Sequence, residues 1–429
     1  MKKQNLLISS ALLLSLGLAG CSANTTDASS QTDSSTENPS TTVDLTNSDA
    51  SSTASYLSFN FTQEDLRTDV YDATTITLNG TSANVDGTNV TVDGSTIHIN
   101  GAGDYIISGT LNDGQIVVNA AEGEEVHIVL DNASITNTDG AAIVVNSGDK
   151  TIITLKEGTS NLLVDGSTYT QAEEEPNATL FSSSDLTLNG TGELVIMANY
   201  NHGIYSKDDL KMIDVNITVT SANDAIKGKD VIWAQGVTLN LTADGDGLVS
   251  TNAESSEVGN ILIEDSTITI KAGKDGIQAE NILEIVSGTY DITSGSLMST
   301  SEDSGKGLKA VNEIIVDGGD FVISAKDDSI HSGSLVEING GTLSLTSGDD
   351  GIHSDSTIEI NGGSTTIVES YEGIEAAIIT LNDGEVYLTS FDDGINGSSG
   401  SGSQTMNADS GVQVTINGGT LVMDASGDG

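Results

Sequence analysis

The chain has 429 residues, with 48 glycines, 2 prolines and 1 cysteine, and sets 63 acidic side chains against 14 basic ones for a formal net charge of −49. That balance excludes nucleic acid and anionic lipid as partners, because both are bound through lysine and arginine patches. It favours divalent cations, and aromatic content of only 3% calls for a core built from aliphatic side chains.

The first element is a targeting segment. Lys2 and Lys3 precede an apolar run from Leu6 to Leu18 that is too short to cross a bilayer comfortably. The run ends in Leu18-Ala19-Gly20-Cys21, which resembles a bacterial lipobox, the signal in which the cysteine thiol is diacylated and becomes the mature N-terminus. Residues 1–20 therefore read as a signal peptide and Cys21 as the lipidation site, which anchors the protein on the outer face of a cell membrane. A body without cysteine has no disulfides to stabilise it. Residues 21–56 are mostly Ser, Thr, Asp and Asn, a composition that cannot bury enough surface to order itself and works as a flexible tether.

Residues 57–429 read as one repeat domain. Its start, 57–74, is expected to cap the open end, with a short helix over 56–71 around Phe61-Thr62-Gln63-Glu64-Asp65-Leu66. From 75 to 200, short β-branched runs such as Ile97-His98-Ile99 and Ile116-Val117-Val118 alternate with Gly, Asn and Asp turns, as irregular first coils would. From 201 onward the repeat is plain. An apolar anchor recurs at Ile204, Ile226, Leu248, Ile277, Leu308, Ile330, Ile352, Ile374 and Ile395, with gaps of 22, 22, 29, 31, 22, 22, 22 and 21. The two long gaps hold polar insertions, which belong in surface loops. Each unit carries period-two runs, such as Leu335-Val336-Glu337-Ile338 before Asn339-Gly340-Gly341. Three short parallel strands per coil of about 22 residues make an all-β parallel β-helix, with the anchors stacked about 4.8 Å apart. The spacing shows no nine-residue period, so the calcium-binding nonapeptide roll does not fit. The chain stops at Ser426-Gly427-Asp428-Gly429, the corner motif cut before its anchor, and reads as a fragment.

SANDAIKGKD (221–230), DGDGLVSTN (244–252), KDGIQAEN (274–281), SGDDGIHSDS (347–356) and YEGIEAA (371–377) resemble the corner motifs of a bacterial carbohydrate-binding surface protein family. EEPNATLFSSSDLTLNGTGELVI (174–196) and NYNHGIYSKDDL (199–210) are similar to it as well. The resemblance runs from about Thr75 to the end of the chain. It implies a right-handed parallel β-helix like that of polysaccharide lyases, bound calcium, and cellulose or acidic pectic sugars as ligands.

Two residues before the anchors run His202, Asp224, Asp246, Asp275, Lys306, Asp328, Asp350, Glu372 and Asp393; one residue further back come Asp327, Asp349, Tyr371 and Asp392. In a β-helix these are columns. Asp-Gly is a favoured turn pair, with Asp bonding nearby backbone and Gly supplying positive φ, so each pair has a purely structural reading. As columns they do more, because carboxylates about 5 Å apart repel by roughly 1 kcal/mol in water and by several-fold more at lower dielectric. A bound cation relieves this, and calcium takes six to eight oxygen ligands. The candidate ligands are Asp224, Asp246, Asp275, Asp327, Asp328, Asp349, Asp350, Glu372, Asp392 and Asp393, with some positions salt-bridged to Lys274 or Lys306 instead. Calcium also allows so acidic a protein to hold a uronate.

A third column after the anchors, including Tyr205, Lys227, Val249, Gln278, Lys309, His331, His353 and Glu375, reads as an outward face. Lys227, Lys309, His331 and His353 from it, with Tyr200 and Tyr371, are the candidate sugar contacts; Trp233 and Phe391 are further aromatics. A lyase of this fold needs an Arg or Lys base. The one arginine, Arg67, lies outside the repeats; lysine could serve, and Lys227, Lys229 and Lys309 lie near the acidic columns with nothing to single one out. The reading is a monomeric, non-catalytic polysaccharide-binding lipoprotein, with a calcium-dependent lyase and a sugar-free surface spacer as the alternatives.

Overall fold

The computed structural model describes residues 57, 58, 60–170, 175–296, 304–398 and 411–427. The signal peptide, Cys21, the tether and the final Asp428-Gly429 lie outside the described residues. A representative coil contains Ile330–Ser332, Leu335–Ile338 and Thr342–Thr346, and the next opens with Ile352–Ser354. Each strand pairs in parallel with its counterpart one coil on, so that Ile330 meets Ile352, Val336 meets Ile358 and Leu343 meets Thr365. Strands this short cannot build a sandwich. Stacked, they form three flat faces: an anchor face, a second face and a third face. The fold is the expected all-β parallel β-helix with three strands per coil.

The anchor column forms as expected. Ile204, Ile226, Leu248, Ile277, Leu308, Ile330 and Ile352 all have 0% exposure, and each is the direct ladder partner of the next. The first insertion, 251–259, falls outside strands, as do 296, 304 and 305, the described residues of the second.

The corner between the second and third faces is held by an asparagine ladder. The Nδ2 of Asn361 donates to Oδ1 of Asn339 at 2.8 Å, Asn382 to Asn361 at 2.7 Å and Asn417 to Asn382 at 2.8 Å. An amide both donates and accepts, so a column of asparagines satisfies itself. The following glycine is obligatory: Gly341 has φ +93°, and a Cβ there would lie 2.6 Å from the carbonyl oxygen of Gly319. We expect Asn361→Leu to cost about 1–3 kcal/mol by orphaning its neighbours' amides. An unchanged melting temperature would remove the ladder from the stability argument.

The N-terminal end differs from the sequence expectation. No helix forms over 56–71 among the described residues; residues 63–66 make only a turn. The reciprocal capping bonds that start a helix are present, Thr62 N to Asp65 Oδ2 at 2.8 Å and Asp65 N to Thr62 Oγ1 at 3.2 Å. They do not propagate, because the Asp65 carboxylate is claimed by the solenoid. The end is closed instead by antiparallel hairpins: Ala83–Asp86 folds back on Thr74–Gly80, and Val90–Asp93 on Thr96–Ile99.

Residues 57, 58 and 60–71 therefore form a strap along the side of the second face. Leu57 N donates to Glu284 Oε2 at 2.6 Å. Phe61 packs edge-to-face on Trp233 with ring centroids 6.2 Å apart. Asp65, with 0% exposure, meets Lys150 Nζ at 2.9 Å, Lys211 Nζ at 3.5 Å and Thr187 Oγ1 at 2.7 Å. Arg67 closes the strap with a two-pronged pair to Asp104, at 2.8 and 2.9 Å. Thr187, Lys211, Trp233, Leu262 and Glu284 are one register row pointing out of the second face. That row is why outward residues on this face include buried charges.

Candidate functional site

The third face turns into the anchor face at the acidic corner. The glycines here, Gly351 among them, do not have positive φ, contrary to the turn reading of Asp-Gly. They are small for lack of room: a Cβ on Gly351 would lie 2.6 Å from both the Gly373 carbonyl oxygen and Ile367 Cδ1. Ala225 and Ser329 occupy the same position in other coils, so the site is tight rather than left-handed.

The aspartates two residues before the anchors make a ladder of their own. Asp224 Oδ1 accepts the backbone N–H of Asp246 at 3.0 Å, Asp246 that of Asp275 at 2.9 Å, Asp275 that of Lys306 at 2.8 Å, and Asp328 that of Asp350 at 3.0 Å. One oxygen of each is thus committed to the next coil. Unlike asparagine, a carboxylate has no donor to pass on, so its charge and its second oxygen need a partner from elsewhere.

The chain supplies that partner unevenly. His202 Nδ1 lies 3.2 Å from Asp224 Oδ2, Lys309 Nζ 2.9 Å from Asp275 Oδ2, and Lys306 Nζ reaches both Asp327 and Asp328. Against a burial that would raise it, the His331 hydrogen bond and Lys306 hold Asp328 down at about 2. Asp246 has no ion pair among the described residues, and burial with its neighbours Asp224 and Asp275 pushes it up to about 7. Asp350, bonded to His353 Nδ1 at 2.9 Å, is raised by burial to about 6. Glu372 is raised to about 7 by burial and by Glu375. Burial and Asp328 also raise Asp349. Asp349, Glu372 and Asp392 take no lysine or arginine partner among the described residues. Asp393 gives its backbone carbonyl to Gly373 N at 2.9 Å.

The outward column divides in two. Tyr205 and Val249 are buried, Tyr205 against Phe181 and within reach of Tyr169, so this stretch is not the open face its position suggests. Lys227 Nζ sits 5.2 Å above the Tyr205 ring. Tyr200 stacks on Tyr169 with centroids 4.2 Å apart, which occupies one of its faces. Trp233 lies under the strap. Lys309 is held by Asp275, Gln278 and Ser304. At the acidic corner, Tyr371 and Phe391 are 48% and 64% exposed, and the Tyr371 hydroxyl bonds the Asp392 carboxylate, which raises its pKa. His331 and His353 are adjacent in register, half-buried, and turned toward Asp328 and Asp350.

A family described as "carbohydrate-binding domain-containing protein" matches residues 93–351, more than half of the chain. The chain belongs to this family. A carbohydrate-binding domain-containing protein of Acetivibrio thermocellus is 32% identical over 196 residues, which are 45% of this chain and 68% of that protein. A solved polysaccharide lyase-like protein from C. thermocellum, a gadolinium derivative, superposes with a TM-score of 0.48 at 27% identity, covering 67% of this chain and 96% of its own.

This carbohydrate-binding domain also holds polar groups that sequence reading missed. Asp185, Asp208 and Asp209 bring carboxylate oxygens within 4.8 Å of one another where the anchor face turns into the second face. Burial and Asp185 raise Asp209 to about 6. Their signal was the Asp opening each second-face strand in SSSDLTLN, SKDDL and KGKDV. Asp65 gave no such signal, because its partners lie 85 or more residues away in sequence and meet it only across the strap.

Proposed function

We propose that the acidic corner binds polysaccharide without cleaving it, over the coils that carry Asp349, Glu372 and Asp392. The observation that carries this is the contrast between corners. Where a corner needs only a ladder, the chain uses self-satisfying asparagines; here it uses carboxylates that make no ion pair with lysine or arginine among the described residues. Burial with neighbouring acids raises Asp349, despite the more distant Lys306, and Glu372. Exposed Tyr371 and Phe391 flank them and offer apolar faces to a sugar ring. Calcium, which favours oxygen ligands, links these carboxylates to a uronate and neutralises both. Lipidation at Cys21 would present the domain on the outer face of the cell membrane.

Non-catalytic binding is supported by the state of Lys306, Lys309 and Arg67. A lyase base must give up its proton, whereas the aspartates around Lys306 raise its pKa despite its burial. Lys309 is ion-paired with Asp275, and Arg67 is locked to Asp104.

Calorimetry with polygalacturonate and with cellulose, each in calcium and in chelator, tests the proposal. Polygalacturonate should bind in calcium and be released by chelator, with no rise in the ultraviolet absorbance of unsaturated products. Absence of heat with both polymers sinks the binding reading; a rise in absorbance makes the protein a lyase. Binding to cellulose unaffected by chelator would keep the binder and remove calcium. The double variant Tyr371→Ala/Phe391→Ala should lose roughly tenfold in affinity, about 1.4 kcal/mol, with its melting temperature unchanged.

A further inference from the structure

We propose that the groove between the strap and the first coils is a second ligand site, built for a neutral saccharide and independent of the acidic corner. The groove has a volume of about 590 Å³ and runs beside the second face. Its floor is the register row Ile106, Val129 and Thr154, from three successive coils about 4.8 Å apart. One wall is the strap at Thr68, Asp69 and Val70, and the other is the corner of residues 155–157 with Gly190 and Thr191.

The strap wall is pinned at both ends. Asn189 Nδ2 donates to the carbonyl oxygens of Asp65 and Arg67 at 2.8 and 3.0 Å, Arg67 Nη1 to that of Asp69 at 2.9 Å, and Tyr71 N to Asp104 Oδ2 at 2.6 Å. The groove is therefore formed before any ligand arrives, which spares the ordering cost of binding. Its floor is largely aliphatic and offers no open hydroxyl, because that of Thr154 is taken by His127 Nε2 at 2.7 Å and Asn189 Oδ1 at 2.5 Å. The walls are the reverse. The carboxylates of Asp69 and Glu157 and the hydroxyls of Thr68 and Thr191 have no hydrogen-bond or ion-pair partner among the described residues.

Ionised carboxylates only accept hydrogen bonds, so the ligand must bring donors. A uronate or phosphate would instead set negative charge against Asp69 and Glu157, and the Lys156 ammonium that could offset it is held by Asp131 at 2.5 Å. Asp69 and Glu157 stand on opposite walls and join no metal-sized cluster among the described residues. A neutral pyranose answers the whole lining: its C–H face lies on Ile106 and Val129, and its hydroxyls reach the wall carboxylates and threonines. The volume falls within the roughly 300–1,000 Å³ of small-ligand sites and suits a disaccharide.

Cellobiose, xylobiose and mannobiose are each titrated into the full chain by calorimetry, in chelator. At least one should bind at a single site, and Asp69→Ala and Glu157→Ala should each weaken it roughly tenfold. Both side chains are exposed, so the melting temperatures should not move. Thr191→Arg, also at an exposed position, should block the groove without touching either carboxylate. No heat with all three sugars, or equal binding in the Asp69→Ala/Glu157→Ala protein, overturns the proposal. Digalacturonate should give no heat in chelator; binding as tight as that of the neutral sugar would overturn the choice of ligand. Tyr371→Ala/Phe391→Ala should keep the site, and its loss there would place the sugar at the acidic corner and overturn a separate groove.

Discussion

Replacing Asp65 with alanine should be among the most damaging single changes in this protein. Asp65 is fully buried and receives Lys150, Lys211 and Thr187, and its own backbone carbonyl accepts Asn189 Nδ2 at 2.8 Å. Despite burial, which alone would raise it, the Thr62 backbone, Lys150 and Thr187 hold its pKa at about 2. Removing one partner of such a cluster leaves the buried Lys150 ammonium without its ion pair and Lys211 with only Asp209 at 4.0 Å, at a cost of about 3–5 kcal/mol. The loss should concentrate on the strap. Trp233, the one tryptophan of the chain, then loses Phe61, and its emission should shift to the red before the coils melt. A variant with wild-type emission and melting temperature would show that the strap is held by something else. Because the folded pKa is lowered, the contribution of Asp65 is present above about pH 4 and lost as pH falls toward 2.

Asp246→Asn should act in the opposite direction and stabilise the protein at pH 8. The Asp246 carboxyl makes no ion pair among the described residues, and burial with Asp224 and Asp275 outweighs the distant Lys274 to give a pKa of about 7, against about 3.9 in an unfolded chain. A raised acid favours the folded state through its bound proton. That stability is fully present below about pH 4 and is lost as pH climbs through 7. Asparagine keeps the acceptor for Asp275 N–H and removes the charge. In chelator, the gain at pH 8 should be on the order of 2 kcal/mol, after discounting for the partly solvated side of the group. At pH 4 the two proteins should melt together. A lower melting temperature for the variant at pH 8 would mean that Asp246 is neutralised within the protein. The raised Asp350, Glu372 and Asp209 act in the same sense, so the wild type should be most stable on the mildly acid side of neutrality.

The architecture was legible because the repeat is written twice over. The anchors repeat at a fixed interval, and each strand alternates inside and outside, so fold, coil length and insertions could be read without coordinates. What escaped was everything contributed by residues distant in sequence. The Thr62–Asp65 pattern announces a helix start, and only the meeting of Asp65 with Lys150 and Lys211 explains why no helix follows. The acidic columns were legible as columns, but their charge state was not. Whether an aspartate sits at about 2 or about 7 depends on whether a lysine or histidine turns onto it, as Lys306 and His331 do for Asp328, while Lys274 acts on Asp246 too weakly to offset burial and its neighbours Asp224 and Asp275. The corner glycines were recognised for the wrong reason: crowding by the next coil selects them, and the left-handed backbone does not.

The strap also sets how the molecule would bear a pull. The first described contact of the strap with the body is at Leu57, beside Glu284, away from the hairpin that closes the first coil. We predict that tension applied upstream of Leu57 peels the strap one contact at a time, from Glu284 through Trp233 and Asp65 to Asp104. About 15 residues, roughly 50 Å of extended chain, are paid out before any coil is loaded. Pulling single molecules should reveal this early yield, and Asp65→Ala should lower its force. If the first event is instead the loss of a whole coil, the strap carries no load. A solenoid fastened in this way has a shock absorber built into its side.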